Sequence, residues 1–261
     1  MLVVSWNVAG RRARLNEQAD RVLGLEPDLV CLQEVTPVTA GPWSERLAEA
    51  GLTPVLAPLP PTREGSRPLA VLTAARGGAE VVPVDDVPWP ERVLAVQSGA
   101  LEVVNVHSPI SPKPGLAKVL THEAVFRHLR GRPGPRVVLG DLNTPRREHA
   151  DGSVWTFARD RHGRLREERG ERWDLAESAL IRGLEPDGFR DAFRELNGFE
   201  SKEPSWEWPR WGGGYRLDHL IVSAEVDVLE CSYHHEWRRE DKLSDHSALV
   251  ARLAVGAPDP R

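Results

Sequence analysis

The sequence predicts one α/β domain in which sheets pack together and helices lie outside. Three observations predict it. Short β-rich runs alternate with helical patterns along the whole chain. Strands outnumber helices, and many follow one another directly. No repeat or low-complexity linker divides the 261 residues, which are 40% hydrophobic and 28% charged and long enough to bury a sizeable core.

Leu2-Val3-Val4-Ser5-Trp6 reads as the first strand. Leu15, Ala19, Val22 and Leu23 follow at helical spacing, and Gly24 and Pro27 end that helix. Residues 28–32 are a buried strand and residues 43–50 a second helix. Strand-like runs come next at 54–57, 69–74, 80–84, 93–98 and 102–107. Residues 115–130 form an amphipathic helix with Leu116, Val119, Leu120 and Ala124 on one face. A strand at 136–139 ends at Gly140-Asp141. Residues 144–172, polar and Arg-rich, read as a long functional loop. A helix near 173–183 and a turn-helix near 189–197 lead to strands at 217–223, 226–234 and 247–255. The domain is expected to cover residues 1–255, with 256–261 a short tail.

Composition excludes several classes. No apolar run approaches the roughly 18–20 residues that cross a bilayer. The first residues run straight into a strand without a basic region, so no secretory signal is expected. Cys31 and Cys231 each sit in a hydrophobic run, too few for a disulfide framework. The expectation is a soluble cytoplasmic monomer. A net charge of −5 argues against a chain that coats nucleic acid, yet leaves room for a basic groove around an acidic metal site. Only Lys113, Lys118, Lys202 and Lys242 are lysines; the other positive residues are arginines. Arginine suits bidentate phosphate contacts, although a GC-rich genome is the plainer explanation.

Polar residues recur where hydrophobic strands end: Asn7, Glu34, His107, Asp141 with Asn143, Asp218, and Asp245-His246. Strand ends of stacked sheets converge at one edge, so these groups can line one cleft. Asp141 and Asn143, two apart, fall on one side of an extended chain. Any one of them alone is an ordinary turn or surface residue. Together they supply hard oxygen ligands for Mg²⁺, donors for phosphate oxygens and proton-transfer groups.

Five segments carry a resemblance: Ser5-Trp6-Asn7-Val8-Ala9-Gly10, residues 27–34 ending in Gln33-Glu34, Gly140-Asp141-Leu142-Asn143, Arg216-Leu217-Asp218-His219 and Ser244-Asp245-His246. In this order they resemble the endonuclease/exonuclease/phosphatase superfamily over nearly the whole chain. The resemblance implies a four-layered α/β sandwich, two packed mixed sheets flanked by helices, and metal-dependent cleavage of phosphoesters. It makes Glu34 the principal Mg²⁺ ligand, with Asn7 and Asp245 near the metal; Mn²⁺ suits the same oxygen-rich geometry. Asp218 and His246 correspond to a carboxylate–histidine pair. Asp141 and Asn143 would position water and bind the scissile phosphate. Either Asp141 or His246 would take the proton from water. His107 would stabilise phosphate oxygens or protonate the leaving group.

Substrate is read from the segments between motifs. Arg11 and Arg146 follow the first and third motifs and, with the arginines of 159–172, form either a phosphate track or a solvated surface. Trp206, Trp208 and Trp211, beside three glycines, sit where repair nucleases of the exonuclease III type carry an aromatic loop, and tryptophan faces stack on bases. Three departures from those nucleases stand out: Ala9 replaces an Asp, no Lys follows Gln33-Glu34, and His107 replaces a tyrosine. Gln33-Glu34-Val35 with Pro37 also resembles enzymes that remove tyrosyl adducts from DNA 5′ ends. The expected function is a Mg²⁺-dependent phosphodiesterase acting on DNA. The alternatives are a 5′-tyrosyl-DNA or small-molecule phosphoesterase, and a silent nucleic-acid-binding module.

Overall fold

In a computed structural model of the chain, residues 1–59, 67–110, 115–208, 210 and 212–256 are described. All but the first residue of the expected tail, and Trp211, lie outside them. The strands are β1 (Leu2–Asn7), β2 (Leu29–Val35), β3 (Thr53–Leu56), β4 (Ala70–Ala75), β5 (Glu80–Val82), β6 (Val93–Ser98), β7 (Leu101–His107) and β8 (Arg136–Asp141). They continue with β9 (Arg147–Glu148), β10 (Val154–Trp155), β11 (Arg190–Asp191), β12 (Trp206–Glu207), β13 (Gly214–Tyr215), β14 (Asp218–Val222), β15 (Val226–His234) and β16 (Ala248–Val255). The α-helices are α1 (Leu15–Leu23), α2 (Pro37–Glu49), α3 (Ala117–Leu129), α4 (Gly170–Ser178), α5 (Ala192–Asn197) and α6 (Glu236–Arg239).

Two mixed six-stranded sheets result, in the orders β15-β16-β1-β2-β4-β3 and β11-β14-β8-β7-β6-β5. Each has one parallel pair at its centre, β1–β2 and β7–β8, with antiparallel neighbours on either side. Parallel strands need a crossover, and α1 and α3 provide the two. Strand alternation then makes four layers. Val3, Leu29, Cys31, Leu101, Val103, Val137, Leu139, Leu220 and Val222 face the other sheet. Val4, Trp6, Val30 and Leu32 pack outward with residues of α1 and α2, while Val104, Val106, Val138 and Ile221 pack outward with residues of α3.

The same alternation carries the site. Counting by twos from the inward residues reaches Asn7 on β1, His107 on β7, Asp141 on β8 and Asp218 on β14, so four polar side chains close one end of the inter-sheet layer. Just beneath them Gln33 Nε2 donates to Asn105 Oδ1 across the sheets at 2.8 Å. Gly140 lies against this layer with φ +122°, and a Cβ there would meet the Val106 carbonyl at 2.1 Å, so only glycine lets β7 and β8 end side by side.

Departures from the sequence reading have local causes. Helix α2 starts at Pro37, not near residue 43. Thr36 and Thr39 cap it reciprocally, Thr36 Oγ1 accepting from Thr39 N and Thr39 Oγ1 from Thr36 N. Pro37 at its first position and Pro42 within it masked that start. The 144–172 loop holds the short β9–β10 pair. Helix α4 begins at Gly170 and runs into a π-helical turn, Ala179–Gly183.

Candidate active site

Glu34 breaks the alternation. By parity it would follow Leu32 outward, but its backbone is left-handed (φ +59°) and the β2–β4 register shifts between Leu32 and Val35. This bulge turns the carboxylate to the inter-sheet end, a common use of bulges at functional sites. There Asn7 Nδ2 reaches Glu34 Oε1 at 3.3 Å, and Asp141 Oδ2 at 3.0 Å.

Asp141 Oδ2 is the meeting point. Besides Asn7, His107 Nε2 and His246 Nε2 each face it at 3.8 Å. Those gaps are too long for direct hydrogen bonds and suit a bridging oxygen. Its other oxygen, Oδ1, accepts from Asn143 N at 3.0 Å. Burial pushes the Asp141 carboxyl upward, and the Asp218 charge beside it adds to the rise, against the pull of His246.

His246 Nδ1 is 2.8 Å from Asp218 Oδ2. Burial opposes charge on this imidazole, but Asp218 and Asp141 outweigh it and raise its pKa. The backbone holds it from both sides. Its N–H donates to Ser244 Oγ, Ser244 Oγ donates to Asn7 O, and Trp6 Nε1 donates to the His246 carbonyl. Asp141, Asp218 and His246 offer ligand atoms that all lie within 4.8 Å of one another, a buried group that can hold a metal ion.

His107 differs from His246. Arg92, a buried guanidinium, approaches its Nδ1 at 2.6 Å and Nε2 at 3.2 Å. Arginine only donates, so the nearer nitrogen, Nδ1, accepts and Nε2 carries the proton toward Asp141 and Glu34. Burial first, then Arg92, hold this imidazole well below its usual pKa. An imidazole in that tautomer can donate a hydrogen bond from Nε2. Arg92 was missed because nothing in its local sequence points to residue 107; only the β6–β7 hairpin brings them together.

Asn143, also left-handed (φ +50°), donates its amide to Ser108 O at 2.8 Å. Asp245 is exposed beside His246 and adds to the rise in its pKa. Arg11 is committed to the Lys242 carbonyl at 2.7 Å. Arg146 lines a cavity of about 500 Å³ with Lys202, Gly213 and Tyr215. Of the arginines at 159–172, Arg159 pairs with Asp174, Arg164 with Asp160 and Arg172 with Glu123, while Arg169 lies over the Trp173 ring. Three of the six arginines of that segment are therefore tied into ion pairs.

Trp206 pairs across a β-bridge with His246, which places the aromatic loop against the centre. Trp208 meets its ring edge-on at 4.7 Å, and Tyr215 lies parallel to it at 6.1 Å. Phe157 extends the row, its ring edge-on to Tyr215 at 5.2 Å. Tyr215 and Phe157 were not singled out from sequence.

Two packed mixed sheets thus bring acids, amides and histidines together at one end. The chain matches the Endonuclease/Exonuclease/phosphatase family over residues 4–246, and it belongs to that family, whose members are phosphoric ester hydrolases. Among solved structures it is similar to an AP endonuclease from Archaeoglobus fulgidus, with a TM-score of 0.74 and 20% identity over 98% of this chain and 100% of that one. It is similar to the 3′ phosphatase NExo from Neisseria, in a variant bound to a product DNA hairpin, with a TM-score of 0.66 and 22% identity over 97% and 99%. TDP2 from Caenorhabditis elegans aligns with a TM-score of 0.62 and 18% identity over 96% of this chain and 73% of that one. No curated protein sequence matches. Among the described residues no helix is long and apolar enough to cross a membrane.

Proposed function

We propose that the chain is a Mg²⁺-dependent phosphodiesterase that hydrolyses a phosphodiester of DNA by in-line attack of water. The observation that carries this reading is the convergence of Asn7, His107 and His246 on Asp141 Oδ2, with two gaps of 3.8 Å that fit a water or phosphate oxygen. Asp141 takes the proton of the attacking water. Asn143 N fixes its other oxygen, so the accepting oxygen stays aimed at the convergence. His107 donates from Nε2 to a non-bridging oxygen. His246, oriented by Asp218, donates to the phosphate from the opposite side.

The donor set fits a hard cation. Glu34 is largely buried, yet its carboxylate has only long contacts, 3.3 Å to Asn7, 3.2 Å to Arg67 and 3.8 Å to His107. An under-satisfied carboxylate among oxygen donors, with no cysteine near, suits Mg²⁺ or Mn²⁺. Glu34 and Asn7 would hold it, with Asp245 alongside, and the ion would neutralise charge on the phosphate and the leaving oxygen. DNA is supported by the aromatic row beside His246, whose faces can stack on bases. It is also supported by likeness to proteins described as an AP endonuclease and a phosphatase bound to a DNA hairpin.

The test is a gel assay on end-labelled duplex DNA with one abasic site, beside intact duplex, 5′-tyrosyl DNA and single-stranded RNA. Each runs with Mg²⁺, with EDTA and with Glu34→Gln. Mg²⁺-dependent cleavage of a DNA substrate, lost in Glu34→Gln, is expected. Hydrolysis of bis-p-nitrophenyl phosphate with no cleavage of any nucleic acid would move the substrate to a smaller phosphoester and end the DNA reading.

A further inference from the structure

We propose that Lys118 and Glu177, a buried ion pair behind the site, are positioning residues that hold the Asp141–Asn143 turn in its working shape. This rests on the reading of Asp141 as the proton acceptor. Lys118 Nζ donates to the Asn143 carbonyl at 2.6 Å and to Glu177 Oε1 at 2.6 Å. Asn143 is in the left-handed region, which asparagine adopts more readily than other non-glycine residues, and the hydrogen bonds around it hold it there. Its own groups are held by Lys118 on the carbonyl, Ser108 O on the side-chain amide and Asp141 Oδ1 on the N–H, while Leu142 N on Leu217 O and His219 on Thr144 O fix the residues on either side.

What the turn holds is the Asp141 carboxylate. The Asn143 N–H on Oδ1 fixes the rotation that aims Oδ2 at Asn7, His107 and His246. If the Asn143 peptide relaxes, that N–H leaves and the Asn7 amide on Oδ2 is the hydrogen bond that still holds the carboxylate. Glu177 in turn cannot shift. Lys118 Nζ and Trp173 Nε1 (2.8 Å) donate to Oε1, and Thr144 Oγ1 (3.3 Å) and Phe157 N (2.6 Å) donate to Oε2. Four donors from α3, α4 and the loop after Asn143 thus lock the carboxylate that aims Lys118. Apolar side chains of similar volume could fill the same space at less desolvation cost. A second pair, Arg172 on Glu123 at 2.8 Å, already ties α4 to α3 at the surface. That leaves the buried pair the contact with Asn143.

The surface pair is also the control. Turnover of bis-p-nitrophenyl phosphate with Mg²⁺ is measured for wild type, Lys118→Met, Lys118→Arg, Glu177→Gln and Arg172→Met, together with hydrogen exchange of the Asn143 amide by NMR. Lys118→Met should lose roughly 10- to 100-fold in kcat, as a misplaced catalytic group does. KM should stay within about twofold, and the Asn143 amide should exchange faster. Lys118→Arg should recover most of the kcat, and Arg172→Met should lower the melting temperature and leave kcat alone. A Lys118→Met protein with unchanged kcat and a protected Asn143 amide overturns the proposal. So does a Lys118→Arg protein as slow as Lys118→Met. If Lys118→Met does not fold, Glu177→Gln carries the same comparison. If wild type turns over no ester, the activity reading has failed, and the exchange of the Asn143 amide still decides the positioning role.

Discussion

Arg216 and Asp218 are two residues apart and enter buried charge clusters of opposite character. Around Arg216 the donors and acceptors are matched. Its guanidinium meets Glu148 at 2.6 and 2.8 Å and Asp191 at 2.8 Å, Arg194 meets Glu148 from the other side at 2.7 Å, and His219 closes on Asp191 at 3.1 Å. Around Asp218 they are not. Oδ2 has His246, but Oδ1 is buried with no hydrogen-bond partner among the described residues. Beyond it lie the 3.8 Å gaps at Asp141 and the long contacts at Glu34. Buried polar groups are ordinarily satisfied. A saturated cluster serves the fold, and an unsatisfied one waits for a ligand.

The comparison breaks most sharply at the loose cluster. His246→Ala and Asp141→Asn should each cut turnover by roughly a hundred- to ten-thousandfold, the range for a lost proton-transfer group, and Asp141→Asn should do so with little change in melting temperature. Either variant at full activity removes that residue from the mechanism. At the tight cluster the effect reverses. Arg216→Met leaves the buried Glu148 with Arg194 and the buried Asp191 with His219 and should cost about 3–5 kcal/mol of stability; a urea midpoint equal to wild type would show the Arg216 contacts to be dispensable.

Acid sharpens the same contrast. Burial alone would raise Glu148, but Arg216 and Arg194 overcome it and hold the carboxyl down to about 2. A carboxyl with a depressed folded pKa stabilises the protein above its unfolded value of about 4.5 and loses that contribution as pH falls toward 2. The amount is on the order of 3 kcal/mol. Wild type should therefore lose stability steeply between pH 4.5 and 2, and Glu148→Gln should show a shallower slope there. Parallel slopes would place the acid lability elsewhere.

The fold was legible because strand periodicity and strand-end polar residues are local signals. Asn7, His107, Asp141 and Asp218 follow from counting by twos along strands whose core residues are plain in sequence. Glu34 could be named but not aimed, since its direction depends on a left-handed bulge that parity contradicts. Arg92, Lys118 and Glu177 were illegible as partners of the site. Arg92 meets His107 through the β6–β7 pairing, and Lys118 meets Glu177 59 residues further on; a buried charge looks like a surface one until its partner is placed. Helix α2 began earlier than read because a proline is permitted at the first position of a capped helix, where Pro37 stands.

The aromatic row offers the smallest effect and the cleanest separation of binding from chemistry, because Trp208 belongs to neither charge cluster. It is 41% exposed and meets the Trp206 ring edge-on, while its backbone N–H donates to Gly213 O. Truncating the side chain leaves that backbone bond intact, so Trp208→Ala should barely change stability. If the ring stacks on a base, its loss should weaken DNA binding by about 1–3 kcal/mol, appearing in KM with kcat nearly constant. Trp208→Phe keeps a stacking face and should retain most of the affinity. Turnover of bis-p-nitrophenyl phosphate, which has no base, should be the same in all three proteins. A KM for DNA unchanged in Trp208→Ala would remove the exposed ring from the DNA path, leaving the half-buried Trp206 and Tyr215 as the wall of the site.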